Sequence, residues 1–182
     1  AASDVYKRQE AQLSNAMDAY GSTVYRLALT RMQNIADAED VYQEVFLRLW
    51  KQAAEDWDGD RAKAWLIRTT LNRCADLHRF HLRRPVLSFA EIPDLAQPED
   101  ESRELWEAVS RLPEKARTAV HLYYAEGYSA EEISQLMHIP AATVRTRLHR
   151  ARKQLKELLG GIDDETCVSR SDGTNFGPQR AE

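Results

Sequence analysis

Cysteine is nearly missing from this 182-residue chain, with Cys74 and Cys167 its whole complement. Two thiols are too few for a disulfide framework, which fits a reducing, cytoplasmic setting. Long apolar runs are missing too. None approaches the roughly twenty residues that span a bilayer, and no leader pattern opens the chain, so neither membrane insertion nor secretion is expected. Strand-like alternation is almost absent, which excludes a sheet protein. There is no Gly-rich phosphate loop, no HExxH and no nucleophile elbow, so no catalytic residue and no enzymatic activity are expected. Cys74, His78 and His81 fall at i, i+4 and i+7 of one helical face. They amount to three ligands on a stripe shared with Ile67 and Leu71, so core packing is the expectation, with no metal and no cofactor. The opening AASDVYKRQ carries no initiator Met. Residues 1–10 read as a foreign, truncated or disordered start.

What the chain has is segregated charge. The net charge of −4 hides a stretch, 61–84, with seven basic side chains and one acid, Asp76. It is followed by 91–107, with seven acids and one base, Arg103. A phosphate backbone responds to such local patches rather than to the total.

The sharpest pattern lies at 127–158. Ser129 and Glu132 form a capping box that starts a helix, and Ile133, Leu136 and Met137 give it an apolar face. His138-Ile139-Pro140 is the turn, because proline cannot continue a helix interior. A second helix runs from about Ala141, with Val144, Leu148, Ala151, Leu155 and Leu158 on one stripe. Off the stripe stand Arg145, Arg147, Arg150, Arg152, Lys153 and Lys156 against one acid, Glu157. A capped helix, a tight turn and a cationic helix make a helix-turn-helix, which lays its second helix in a DNA major groove. Thr143, Thr146, Arg150 and Lys153 lie opposite the apolar stripe and should face the bases, where Arg150 can grip guanine bidentately. Arg145, Arg147, His149 and Arg152 flank them and suit phosphates, and Ser129 with neighbouring amides could hold another. A solvated basic helix in a bundle is the bland alternative.

Upstream, Leu13, Met17, Tyr20, Val24 and Leu27 mark a helix ending near Asn34. Asp37 is the expected N-cap of a second, carrying Val41, Val45, Phe46 and Leu49 to about Ala53. A third runs from about Lys63 to Phe80. Beside its apolar stripe, Asn72, Asp76, Arg79 and Arg83 recur at 4, 3, 4 and offer groups that bind phosphates and base edges. Trp57, in a polar loop followed by Arg61 and Lys63, could stack an unpaired base or anchor the core, whereas Trp65 reads as core. Three prolines and no helical period make 85–101 a linker. Helices follow around Ser102–Arg111 and Glu114–Glu126, broken at Pro113, and the end of the chain from Gly160 lacks periodicity. The expected fold is all-α, with two small helical domains joined by a flexible linker and the helix-turn-helix in the second.

The order of these parts resembles the extracytoplasmic-function (ECF) sigma factors of bacterial RNA polymerase. DAEDVYQEVFLRLWKQ at 37–52 is similar to the family's core-binding helix, and WLIRTTLNRCADLHR at 65–79 to its −10-recognition helix. LPEKARTAVHLYYAEGYSAEEISQLMHIPAATVRTRLHRARKQL at 112–155 is similar to its −35-binding domain. The resemblance spans about 10–159. It implies sigma domain 2 at 11–84, a linker at 85–101, sigma domain 4 at 102–159 and a tail at 160–182. It also implies transcription initiation with core RNA polymerase and promoter DNA as partners. The polymerase contacts would be the clamp of the β′ subunit, through Asp40, Gln43 and Glu44, and the β flap. First-turn helix-dipole compensation accounts equally well for that acidic cluster. The loop at 56–63 would capture a flipped −10 base, supported by Asn72, Asp76 and Arg79. An anti-sigma factor is the implied regulator. Tyr42 and Thr69-Thr70 replace smaller or aliphatic residues, and the tail has no counterpart. A stand-alone helix-turn-helix regulator and a helical interaction module are the alternatives; the first has no need of a second basic face behind a core-binding helix.

Overall fold

The computed structural model describes residues 2–52, 59–83 and 100–160, and every regular element among them is helical. Trp57, most of the linker at 85–101, and the tail with Cys167 lie outside the described residues. Among those described, no helix is long and apolar enough to cross a membrane.

Helix α1 spans Ala2–Met32. It begins earlier than the sequence reading allowed, because Ala, Lys, Arg, Gln and Glu dominate its first turns and neither Pro nor Gly interrupts them before Gly21. It stops where Gln33 turns left-handed (φ 52°). Asn34 then caps α2, Ile35–Lys51, its side chain accepting from the Asp37 amide at 2.9 Å. Asn34, not Asp37, is therefore the N-cap. Asp37 sits in the first turn, where its carboxylate favours the helix dipole and lies 3.2 Å from His81 Nε2.

Helix α3, Gly59–Arg83, starts a turn before the expected Lys63. The Tyr20 hydroxyl donates to the Gly59 carbonyl at 2.9 Å, and a Cβ at Gly59 would stand 3.0 Å from the Tyr20 hydroxyl oxygen. The three helices enclose Val24, Ala28, Val41, Val45, Leu66 and Cys74, with Trp65 packed at the margin as a core anchor. Thr70 and Tyr42 have plain packing roles. Thr70 is fully buried and donates to the Leu66 carbonyl at 2.7 Å. The Tyr42 ring meets Tyr25 edge-on and Phe46 at a tilt.

The second group comprises α4 (Asp100–Ser110), α5 (Glu114–Val120), a π-helical turn at His121–Ala125, α6 (Ala130–Met137) and α7 (Ala141–Leu158). Gly127, with φ 76°, ends the wide turn and hands the chain to the Ser129 cap. Ile133, Leu136, Val144, Leu148 and Ala151 close the core, so most of each apolar stripe read from sequence is buried, while Met137 and Leu155 are half-buried and Leu158 is exposed.

A tether was the expected connection between the two groups. They are also in direct contact: Leu27, Ile67 and Leu71 of the first share one buried cluster with Leu112, Ala119, Leu122 and Ile133 of the second. At the centre lies Arg117, only 6% exposed. Its guanidinium donates to the Thr30 and Arg31 carbonyls at the end of α1, and to the Ser110 and Leu112 carbonyls around the α4–α5 turn. The last carbonyls of a helix lack partners within it, and a cation there also suits the helix dipole. Burial lowers the guanidinium pKa, opposed by the neighbouring Glu114 carboxylate. Arg31 pairs with that same Glu114, and Gln33 Nε2 donates to the Ser110 carbonyl at 2.7 Å.

Arg117→Met keeps the volume but strips those carbonyls of a buried donor. It should lower stability by about 3 kcal/mol. Urea unfolding checks this, and a midpoint equal to wild type would remove Arg117 from the centre of the fold.

Candidate nucleic-acid interface

The helix-turn-helix is built by local chemistry. Ser129 Oγ accepts from the Glu132 amide at 3.3 Å, while the Glu132 carboxylate accepts from the Ser129 amide at 2.8 Å, closing the capping box. At the turn, His138 is left-handed (φ 52°) and exposed. Ser134 Oγ donates to the Ile139 carbonyl at 2.6 Å, and the Ile139 amide donates to the Ser134 carbonyl at 3.1 Å. These bonds fix the angle at which α7 leaves α6.

Helix α7 buries Val144, Leu148 and Ala151 and turns Thr146, Arg150 and Lys153 outward, as its period demands. Thr143 and Arg147 are half-buried on the shoulder, so Thr143 flanks the outward face rather than lying at its centre. Ala142, passed over in the sequence reading, is exposed on that face, where a small side chain allows close backbone approach. Arg145, His149 and Arg152 are exposed on the sides. Arg145 pairs with Glu131 of α6, and Thr146 Oγ1 donates to the Ala142 carbonyl at 2.9 Å. Leu155 is half-buried and Leu158 exposed, so the cationic helix outruns its core.

On α3 the second basic face is exposed at Arg61, Asn72, Asp76, Arg79 and Arg83. Asp76 and Arg79 are paired at 2.7 Å, and Arg79 Nε donates to the Ala75 carbonyl at 3.2 Å, so that guanidinium is pre-oriented. Lys63 stands apart from this set. It is half-buried, its Nζ 3.1 Å from Glu126 Oε2 and 5.3 Å from the centre of the Tyr128 ring, both in the second group. Trp57 lies outside the described residues.

On α2, Asp40 and Gln43 are exposed, but Glu44 is half-buried and bonded to Arg48 at 2.9 Å. That bond, with the charges of Arg48, Arg73 and Lys51, holds its carboxyl below the usual range. Leu47 shares their face and is 52% exposed, an apolar centre the sequence reading missed because one Leu beside charges gives no periodic signal. The Cys74–His78–His81 trio does not form a metal site. Cys74 is buried with its thiol pushed up to about 12 by desolvation, while the two histidines face Glu114 and Asp37. No metal-binding group of three occurs among the described residues.

The family model for Sigma-70 region 2 matches residues 16–84, and that for Sigma-70 region 4 matches 102–155. SigM of Bacillus subtilis, an ECF RNA polymerase sigma factor, is 32% identical over 80% of this chain and 94% of its own. The chain belongs to the ECF sigma factors. SigE of Mycolicibacterium smegmatis, another ECF sigma factor, is 34% identical over 82% of this chain, which spans 62% of that relative's length. Among solved structures, the sigma factor RpoE of Bartonella quintana, in complex with the anti-sigma factor NepR, shares the fold. Its TM-score is 0.68 at 24% identity, over 86% of this chain and 99% of that one. ECF sigma factors are initiation factors, not enzymes, which agrees with the missing catalytic motifs.

A left-handed histidine is the costly element of the motif. Replacing exposed His138 with glycine should relieve about 1–2 kcal/mol of backbone strain, against about 0.5–1 kcal/mol of extra chain entropy. A net gain of about 0.5–1 kcal/mol is expected in thermal unfolding. A loss of stability would show that the His138 side chain holds the turn.

Proposed function

We propose that this ECF sigma factor binds core RNA polymerase and directs it to promoters with −10 and −35 elements, in the cytoplasm. The observation that carries the reading is a domain with two separate working faces, beside a second domain bearing the cationic α7. Asp40, Gln43, Glu44 and Leu47 on α2 form a face with an apolar centre and a charged rim, the anatomy of a protein interface, and would dock on the clamp of the β′ subunit. Arg61, Lys63, Asn72, Asp76, Arg79 and Arg83 on α3, with Trp57, would hold the −10 strand. Stacking and phosphate contacts there offset the few kcal/mol that base flipping costs. Thr146, Arg150 and Lys153 would read the −35 duplex. Thr143, Arg145, Arg147, His149 and the Ser129 terminus would grip its backbone. The β flap is a further contact, and an anti-sigma factor the regulating partner. A stand-alone regulator has no use for the α2 face. Co-purification with bacterial core polymerase, followed by run-off transcription, tests the proposal; binding to promoter duplex without core would support the stand-alone reading.

Division of labour on α7 gives a finer expectation. Arg150→Ala should relax preference at one −35 base pair and cost about 1–3 kcal/mol. Arg152→Ala should weaken all sequences alike and flatten the log–log salt slope by about one unit. Titration of holoenzyme carrying each variant on single-base promoter variants distinguishes them. Exchanged roles would mean that α7 enters the groove with a different rotation.

A further inference from the structure

The outward face of α2 does not end at that helix. Glu39, Gln43 and Leu47 follow one another at i, i+4 and are all exposed. Their row runs from the apolar centre of the face to an open groove between α1 and α2. Gly21, Ser22 and Tyr25 form the α1 wall of the groove, and Glu39, Tyr42 and Gln43 its α2 wall, around a space of about 590 Å³. The Tyr25 and Tyr42 rings make a corner there, meeting at 80° with centroids 6.2 Å apart. Buried Phe46 backs the Tyr42 ring at 4.8 Å, so the corner is held from the core. Gly21 lets Tyr42 lie this close to α1, since a Cβ there would stand only 3.1 Å from the Tyr42 hydroxyl oxygen. Both rings are half-buried, and each keeps part of its surface open.

Electrostatics choose the guest. Among the described residues, Glu39 is the charged side chain on the walls, and the exposed Asp40 carboxylate follows it along α2. A phosphate would be repelled there and a cation attracted. The two rings then distinguish between cations. A guanidinium is planar and stacks on an aromatic face, and its edge still offers N–H groups to the Glu39 carboxylate and the Gln43 carboxamide oxygen. An ammonium is a compact, strongly hydrated charge that gains less from the same corner. Small-molecule sites enclose most of their ligand, whereas this groove lies open beside a docking face. It suits a side chain delivered by a protein surface.

We propose that the α1–α2 groove is an arginine slot. A guanidinium from the protein that docks on α2 lies against the Tyr25 and Tyr42 rings and pairs with Glu39. The identity of that protein as core polymerase rests on the function proposed above; the preference of the slot for a guanidinium does not. Tyr42 stands where relatives carry a smaller or aliphatic residue, so the corner is a feature of this chain.

Two arms test the slot, with folding of every variant checked by circular dichroism. In the first, N-acetylarginine amide and N-acetyllysine amide are titrated into the full chain carrying ring-labelled tyrosine, observed by nuclear magnetic resonance. Tyr25→Phe and Tyr42→Phe assign the two rings. The arginine compound should shift both, the lysine compound several-fold more weakly, and Glu39→Gln should weaken the arginine titration. In the second arm, fluorescently labelled chain is titrated with core RNA polymerase. Tyr42→Val and Glu39→Gln should each weaken binding by roughly five- to twentyfold. Glu104→Gln, the same charge change on exposed α4, should leave it unaltered. Equal shifts from the two compounds, or none, would overturn the preference for a guanidinium. Wild-type core affinity in folded Tyr42→Val and Glu39→Gln would overturn the role in docking. Glu39 is exposed, so its variant carries both arms if Tyr42→Val does not fold. Failure of the wild-type chain to join core polymerase would instead sink the sigma-factor reading, while the arginine titration still decided the slot.

Discussion

A single buried guanidinium holds the two halves of this chain in register. Arg117 reaches across the junction to the last carbonyls of α1 and at the same time ties down the carbonyls of the α4–α5 turn. A helix end inside a protein needs such a donor, since its final carbonyls have no intrahelical partner and cannot reach water. Placing that donor on the other domain makes completion of α1 and docking of the second domain one event. The apolar contacts of Leu27, Ile67 and Leu71 add area, and the polar bonds fix geometry.

Around this junction the charges are arranged with economy. The exposed cations of α3 and α7 point away from it, while Lys63, Arg31 and Arg117 point into it and meet Glu126, Glu114 and backbone carbonyls. A chain of net charge −4 thus presents basic surfaces on α3 and α7 and places acids at its own junction. His121 belongs to the same economy. Burial holds its imidazole below the ordinary pKa, with the Glu126 charge opposing, and the ring lies between Thr30 and Glu126.

Most helices were legible because each carries an amphipathic period and a stop or start signal. Ser129 with Glu132, Pro113 and Pro140 marked their boundaries, and Val144, Leu148 and Ala151 marked the buried side of α7. Errors came where two local solutions compete: Asn34 and Asp37 are both good caps three residues apart, and only the backbone turn at Gln33 selects Asn34. The shoulder position of Thr143 was missed because its angle to the core stripe is intermediate. The junction itself was invisible. Nothing in the helix expected at Glu114–Glu126 singled out Arg117 or His121, since periodicity cannot distinguish a face that meets water from one that meets another domain. The mostly uncharged run 116–123, interrupted only by Arg117 and His121 on one side, is the junction's trace in the sequence.

The account turns on the two domains forming one body in the free chain. A distance measured by electron–electron double resonance tests this most directly, with spin labels at Ala36→Cys on α2 and Glu157→Cys on α7. Cys167 is replaced by Ser, and buried Cys74, its thiol pushed up to about 12, resists labelling. A single narrow separation is predicted for the free chain. A broad distribution in the free chain, unaltered by Arg117→Met, would contradict it.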